Sequence, residues 1–405
     1  MMNRTLSLVP FVLLTAITAC ASSTSTTDPE PVGKSRAKVI KGKASDASQD
    51  AVVLLVHYDP KAGEVSTCTG TLLAPNLVLT ARHCVAATDP YAACDADGKP
   101  IAAGVVSGNH KPETLYVFKG AKRPDFGPRI KPDATGKQIL DDGGKNLCNH
   151  DIALVVLAEP VADAQIAPIR MEGDITKGEI MTAVGWGYTD KGEPQVRQQR
   201  TGIKIQDVGP DAKSFPPVPP NEFQVGESIC SGDSGGPAIV EETGAIVGVV
   251  SRGGNGDKSQ DPAAGCIGAD NLYTKTTPFT DLLKQGFELA EAEPWIEGQP
   301  DPRLLKPGNA CTDGAECRSA LCLSDAVKGG NTCAENCTES NACSISGEKC
   351  GAMAGSPDTK VCRSEKEEEH GCTTAPQSSS GPSSSLFAAC LAAFGLLALR
   401  RRPRR

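Results

Sequence analysis

One serine stands in a setting that few serines have. Ser234 lies within Gly232-Asp233-Ser234-Gly235-Gly236-Pro237, and glycines with a proline around one hydroxyl describe a tight preset loop. Glycine adopts backbone angles that other residues avoid and lets a ligand approach the main chain closely. Such a loop presents the Ser234 hydroxyl and lets the N–H groups of Gly232 and Ser234 converge on one point. That is the shape of an oxyanion hole, the usual source of the largest catalytic contribution in acyl transfer. A serine hydroxyl is a weak nucleophile until a base takes its proton and a third group orients that base. The chain has five histidines, His57, His83, His110, His150 and His370. His83 follows an apolar run in Leu79-Thr80-Ala81-Arg82-His83-Cys84, and Asp151 opens Asp151-Ile152-Ala153-Leu154-Val155-Val156-Leu157. The latter places a carboxylate at the mouth of a buried strand. The plain alternatives are a Gly-rich surface turn, a structural imidazole and a strand-end cap. They are weaker for the set than for each member. His150 reads as a solvated neighbour of Asp151.

Elements able to position these groups are short and numerous. Ala51 to Val56 and Thr71 to Leu79 are apolar, β-branched runs bounded by turn residues, hence strands. Further candidates are Ile101 to Val106, Asp151 to Leu157, Glu179 to Gly185, Gly202 to Gln206, Ala238 to Val240 and Ala245 to Val250. Many short strands with Gly/Pro turns make an all-β barrel or sandwich. Phe279 to Glu291 carries helical spacing.

Three segments, Thr80-Ala81-Arg82-His83-Cys84, Asp151-Ile152-Ala153-Leu154 and Gly232 to Pro237, resemble in type and order the chymotrypsin-like (trypsin-fold) serine proteases. Val184-Gly185-Trp186-Gly187 and Val249-Val250-Ser251 are similar to further landmarks of that family. The resemblance covers about residues 39 to 290 and implies two six-stranded antiparallel β-barrels with the site between them. It implies catalytic roles for His83, Asp151 and Ser234, an oxyanion hole at Gly232 and Ser234, and no cofactor or metal. Cys68 with Cys84 and Cys230 with Cys266 match family bridges, the second beside the specificity pocket. Cys94 and Cys148 remain as a pair, with a metal site as their alternative, although paired short spacings with histidine are missing.

The same resemblance assigns Ser228, Gly253 and Asn271 to the specificity pocket. Ser228 stands where relatives that cut after Lys or Arg carry an aspartate, and an unpaired cation there is costly to bury. Asn271 replaces a glycine, and Arg252 stands where the family usually has tryptophan. Cleavage after small or medium uncharged residues is expected, with Asp270 the one carboxylate adjoining the pocket. Val39-Ile40-Lys41-Gly42 resembles the mature N-terminus, with Lys41 in place of glycine. Cleavage after Lys38 by an activating protease is therefore expected to free Val39, whose ammonium would pair with Asp233.

The chain of 405 residues exceeds one ordinary domain. A net charge of −8 argues against nucleic acid as a partner, and 17 cysteines point to an oxidising compartment. Residues 1–19 read as a signal peptide, and the segment before Cys20 resembles a lipoprotein box with Cys20 lipidated. Residues 20–38 form a linker or pro-segment, 39–290 the protease-like domain, and 291–309 a Pro-rich linker. Residues 310–363 hold eight cysteines and too little apolar sequence for a core, so four bridges are expected with connectivity open. Zinc is the alternative there. Residues 364–385 are low in complexity, and 386–405 form an apolar tail ending in arginines, with Gly371-Cys372 upstream. This arrangement resembles myxobacterial sorting tails processed at Cys372, and its apolar run of about 21 Å is short for a membrane span of roughly 30 Å.

The function expected from all this is an exported serine endopeptidase made as a zymogen. Its partners would be protein substrates and, through lipid or tail, a membrane at the bacterial surface. An esterase would use the same chemistry. An inactive protease-like binding or adhesion protein is the reading from another class.

Overall fold

A β-strand buries one face and offers its edge to a partner, so many short half-buried strands are satisfied best by closing on themselves. The computed structural model describes residues 42–364 except 60, 62, 127–129, 190–191, 193, 258–262, 325–328, 339–342 and 354–355. The expectations for the signal peptide, Cys20, Lys38, Val39, Cys372 and the arginine-ended tail lie outside the described residues.

The first barrel is built from β1 (Val52–Asp59), β2 (Glu64–Ala74), β3 (Leu77–Thr80), β4 (Leu115–Phe118), β5 (Ala134–Leu140) and β6 (Ala153–Leu157). The second uses β7 (Ile180–Gly185), β8 (Gln198–Val208), β9 (Glu222–Val225), β10 (Pro237–Val240), β11 (Ile246–Gly254) and β12 (Asp270–Lys275). Neighbours run β1-β4-β5-β6-β3-β2 around the first and β7-β10-β11-β12-β9-β8 around the second. Both follow one circular order, counting each barrel's strands in sequence. The short strand Lys43–Ala44 adds to β8 from outside. The expected all-β fold of two six-stranded antiparallel barrels holds.

Two of the expected strands divide differently. Thr71 to Leu79 is a hairpin, because Pro75-Asn76 turns the chain between β2 and β3; proline lacks the N–H a continuous central strand would need. Ile101 to Val106 is interrupted, since Ala103 and Gly104 have φ of 53° and 79°. Pro100–Ala103 instead pairs with Ala92–Cys94 in a small hairpin of the insertion between the barrel strands. Strands β4, β5, β9 and β12 are not among the expected ones, and of these only β4, Leu115-Tyr116-Val117-Phe118, is apolar throughout. In β9 the reason is plain: Glu222 and Gln224 are polar yet buried.

The barrels share a core. Leu73, Leu77, Leu79 and Leu154 of the first meet Ile246 and Val249 of the second, together with Leu282, Leu283 and Phe287. Those last residues come from α1 (Thr280–Leu289), whose apolar face is spaced at helical period. Gly286 lets this helix lie directly on Leu154.

The segment after α1 is part of the same body. The first compact unit runs to Arg303 and the second begins at Leu304. Trp295 packs against the first barrel's core, and Ile169 N–H donates to Trp295 O at 2.9 Å. Arg170 pairs with Glu297 at 2.6 Å. The Pro-rich stretch expected as linker from 291 is thus docked through Arg303, because prolines coexist here with an apolar and a charged anchor.

The second unit is stapled by Cys311–Cys322, Cys317–Cys333, Cys337–Cys350 and Cys343–Cys362. The pairing is first-to-third and second-to-fourth, twice. Each set of four holds one hairpin in which two cysteines face each other, Cys322 with Cys333 and Cys350 with Cys362. What reads as one eight-cysteine module is a tandem of two small knots.

Candidate active site

The register of β3 and β6 sets Thr80 opposite Ala153, so the residues next to these strand ends leave the barrel together. His83 sits on the turn Arg82–Cys84 after β3, tied to β2 by Cys68–Cys84. Asp151 precedes β6 and is fully buried. The Asp151 carboxylate accepts from His83 Nδ1 at 2.9 and 3.1 Å, and its Oδ1 also accepts the His83 backbone N–H at 3.0 Å. Ser251 Oγ donates to Asp151 Oδ2 at 2.7 Å. A carboxylate so supplied with donors fixes the imidazole's orientation and tautomer, leaving Nε2 free of the proton.

Electrostatics follow from this geometry. Burial disfavours the His83 imidazolium, but the Asp151 charge and hydrogen bond outweigh it and hold its pKa above the ordinary value. Burial likewise disfavours ionised Asp151, yet His83 and the donors from His83 and Ser251 bring its pKa below the usual range.

Ser234 arrives from the second barrel, on the loop before β10. Two threonines of the first barrel hold that loop. Thr69 N–H donates to Ser234 O at 2.8 Å, and Thr69 Oγ1 to Gly232 O at 3.0 Å. Thr80 Oγ1 donates to Thr69 O at 2.9 Å. Gly235, at φ 75°, fits against these groups where a side chain would press into Thr80 Oγ1 and Thr69 O. The N–H groups of Gly232 and Ser234 donate to no acceptor among the described residues. His83 and Ser234 line one cleft of about 600 Å³.

Asp233 is buried, with Oδ1 accepting Gly187 N–H at 2.7 Å and Oδ2 accepting Cys230 N–H at 2.9 Å. Burial pushes its pKa up to about 6 despite those two donors. No cation pairs with it among the described residues, and Val39 lies outside them.

Ser228 and Asn271 are buried side by side, Asn271 Nδ2 lying 3.3 Å from Ser228 Oγ and donating to Gly226 O at 3.0 Å. Gly253 pairs across the sheet with Asn271, and a side chain there would run into Asn271 Oδ1. The Asn271 amide therefore fills the space beside Ser228 and Gly253, while Asp270 lines the cleft, paired with Gly254. Cys230–Cys266 closes the adjoining loops, and Cys94–Cys148 ties the insertion to the segment leading into Asp151. All cysteines of the described residues are in disulfides, so the cysteine clusters offer no free thiolate to a metal.

Thr69 falls in none of the family-like segments, and Ser251 falls only in the landmark Val249-Val250-Ser251. Thr69 has no motif of its own, since its work depends on a loop distant in the chain. Ser251 carried a readable signal: a polar residue ending the apolar run of β11. There it is the extra residue in a shift of register between Val250 and Arg252. A bulge re-aims a side chain, and this one turns toward Asp151.

Comparison with known proteins places this geometry in context. The family model described as Trypsin matches residues 40–281. The snake venom serine protease Haly-2 of Gloydius brevicauda is 28% identical over 265 residues, covering 62% of this chain and 88% of that protein. The trypsin of Saccharopolyspora erythraea is 24% identical over 228 residues, covering 54% and 86%. Glucanase inhibitor protein 2 of Phytophthora sojae is 25% identical over 232 residues, covering 53% and 68%.

Proposed function

The chain belongs to the trypsin family, and from that premise we propose that it is an exported serine endopeptidase, made as a zymogen. A relative named as an inhibitor shows that the family alone does not fix activity. The observation that carries the reading is the buried Asp151 holding His83 through Nδ1 at 2.9 Å, with His83 and Ser234 on one cleft.

In the proposed cycle His83 Nε2 takes the Ser234 proton as Oγ attacks the peptide carbonyl, and Asp151 stabilises the resulting imidazolium. The Gly232 and Ser234 amides receive the oxyanion. The imidazolium then protonates the leaving amine, and water hydrolyses the acyl-enzyme by the same steps. No cofactor is invoked.

For specificity, the proposed pocket of Ser228, Gly253 and Asn271 is polar and uncharged. A Lys or Arg side chain would lose its hydration there without gaining a counter-charge. Small or medium uncharged residues should be the best residues preceding the cut bond in a panel of peptide amides. A clear preference for Lys or Arg would reverse this assignment and point to Asp270.

For activation, cleavage after Lys38 by another protease would give Val39 an ammonium able to neutralise Asp233 and shape the Gly232–Ser234 loop. The released piece would carry lipidated Cys20, leaving processing at Cys372 to decide retention or release at the bacterial surface. The test is fluorophosphonate labelling of the exported protein with N-terminal sequencing of the labelled form. Wild type should label and begin at Val39, while Ser234→Ala should neither label nor cleave peptides. A correctly processed wild type that takes no label would favour a protease-like binding protein, and label without peptide turnover an esterase.

A further inference from the structure

Glu222 is a fully buried carboxylate on β9, part of no motif and remote in sequence from His83 and Asp151. Both of its oxygens are engaged by Arg252 of β11, Nη1 donating to Oε1 at 2.9 Å and Nη2 to Oε2 at 2.6 Å. This is the two-pronged geometry a guanidinium makes with a carboxylate, stronger and more directional than a single bond. Two arms run from this pair to Asp151. In the first, Arg252 Nη1 donates to Ser251 Oγ at 3.2 Å, and Ser251 Oγ donates onward to Asp151 Oδ2 at 2.7 Å. Because Ser251 accepts from the cation, its own proton is directed at Asp151. In the second, Glu222 Oε1 accepts the Asn149 N–H at 3.0 Å, and Asn221 N–H donates to Asn149 Oδ1 at 2.8 Å. Asn149 lies two residues before Asp151 with φ of 67°, a left-handed conformation that asparagine adopts more readily than most residues other than glycine. One arm thus reaches the Asp151 side chain and the other the backbone at Asn149, two residues before it.

We propose that the buried Glu222 and the partly buried Arg252, which also lines the cleft, form a charged bracket of positioning residues, which sets the orientation of the Asp151 carboxylate and the electrostatic balance at His83. The inference rests on the catalytic reading of His83, Asp151 and Ser234. Besides geometry, the bracket places a cation and an anion beside the triad with opposed effects. Arg252 acts against the His83 imidazolium, while Asp151 favours it. Glu222 offsets Arg252 and also favours protonated His150, which pairs with Asp142. Asp141, next to Asp142, is paired with Arg82. Among the described residues, the Arg252–Glu222 pair is the one that joins both arms.

The test uses Arg252→Gln, Glu222→Gln and the double variant in the full chain. Two readouts are taken: kcat and KM of the activated enzyme against pH, and titration of the His83 imidazole by NMR in the Ser234→Ala background. Arg252→Gln should raise the pH at which His83 titrates, Glu222→Gln should lower it by leaving the cation uncompensated, and the double variant should return toward wild type. Each single variant should lose kcat, by roughly 10²-fold at most as expected for a misplaced group, with KM changed less. A purely structural role would move both single variants the same way, tracking their unfolding midpoints. That result, or an unmoved His83 titration in all three, overturns the bracket. If wild type turns over no peptide, the peptidase reading fails, and the imidazole titration still decides this inference.

Discussion

At the scale of the residue, the clearest case of stored cost is Asp233. Its two partners are backbone N–H groups, which offset only part of the loss of water. A carboxyl whose pKa rises from 3.8 to about 6 on folding is bound to its proton more tightly in the folded state. The penalty is absent below the unfolded value, grows as pH rises through that interval and is complete above it. A shift of this size corresponds to about 3 kcal/mol. Uncleaved Ser234→Ala protein should therefore lose stability between about pH 4 and pH 6 relative to its Asp233→Asn counterpart. Denaturant unfolding of the pair at both ends of that window is the measurement. A constant difference would mean that Asp233 is neutralised by a group outside the described residues.

At the scale of the element, the insertion between β3 and β4 brings a small hairpin to the cleft. Its hairpin Ala92–Cys94 with Pro100–Ala103 has little core, and its exposed Tyr91 and Ile101 line the cleft. Cys94–Cys148, with a sequence separation of 54, joins it to the segment entering Asp151. Closing a loop of that length restricts the unfolded chain by about 4 kcal/mol in the chain-entropy picture. The Cys94→Ala/Cys148→Ala variant should lose about 2–4 kcal/mol of stability and more activity than Cys311→Ala/Cys322→Ala in the other unit. Parallel unfolding and peptidase assays check this, and equal activity losses would contradict it.

At the scale of the whole molecule, the boundary of the first unit lies after Arg303 rather than at the end of α1. Arg170 holds Glu297 and Glu179 together, and Thr243 donates to Glu297 as well. Trp295 and the backbone bonds of Ile169 add to the same anchorage. A chain ending at 303 should keep wild-type thermal stability and activity. One ending at 290 should be several degrees less stable and recovered in lower yield, since it leaves Arg170 without one of its two carboxylates and uncovers apolar surface. Equal midpoints for the two truncations would show that the docked segment contributes nothing.

The sequence by itself was enough for the family, for the barrel class and for naming His83, Asp151 and Ser234 as one set. Those signals are local: a loop whose glycines leave few conformations, a histidine beside a cysteine, and an aspartate before a continuous apolar strand. Composition also sufficed for the disulfide-stapled second unit. Which cysteines pair within it was left open, because eight thiols at similar spacings are combinatorially equivalent until backbone pairing brings Cys322 to Cys333 and Cys350 to Cys362. Only the tertiary structure decided the rest. Thr69 steadies a loop from the opposite barrel, Ser251 turns toward Asp151 through a bulge, and the Asn271 amide packs against Ser228 and Gly253. Glu222, which no motif marks, is buried against Arg252. Each depends on contacts between residues far apart in the chain. Local spacing reports which face a residue takes, whereas the partner on that face is set by how the two barrels close and meet.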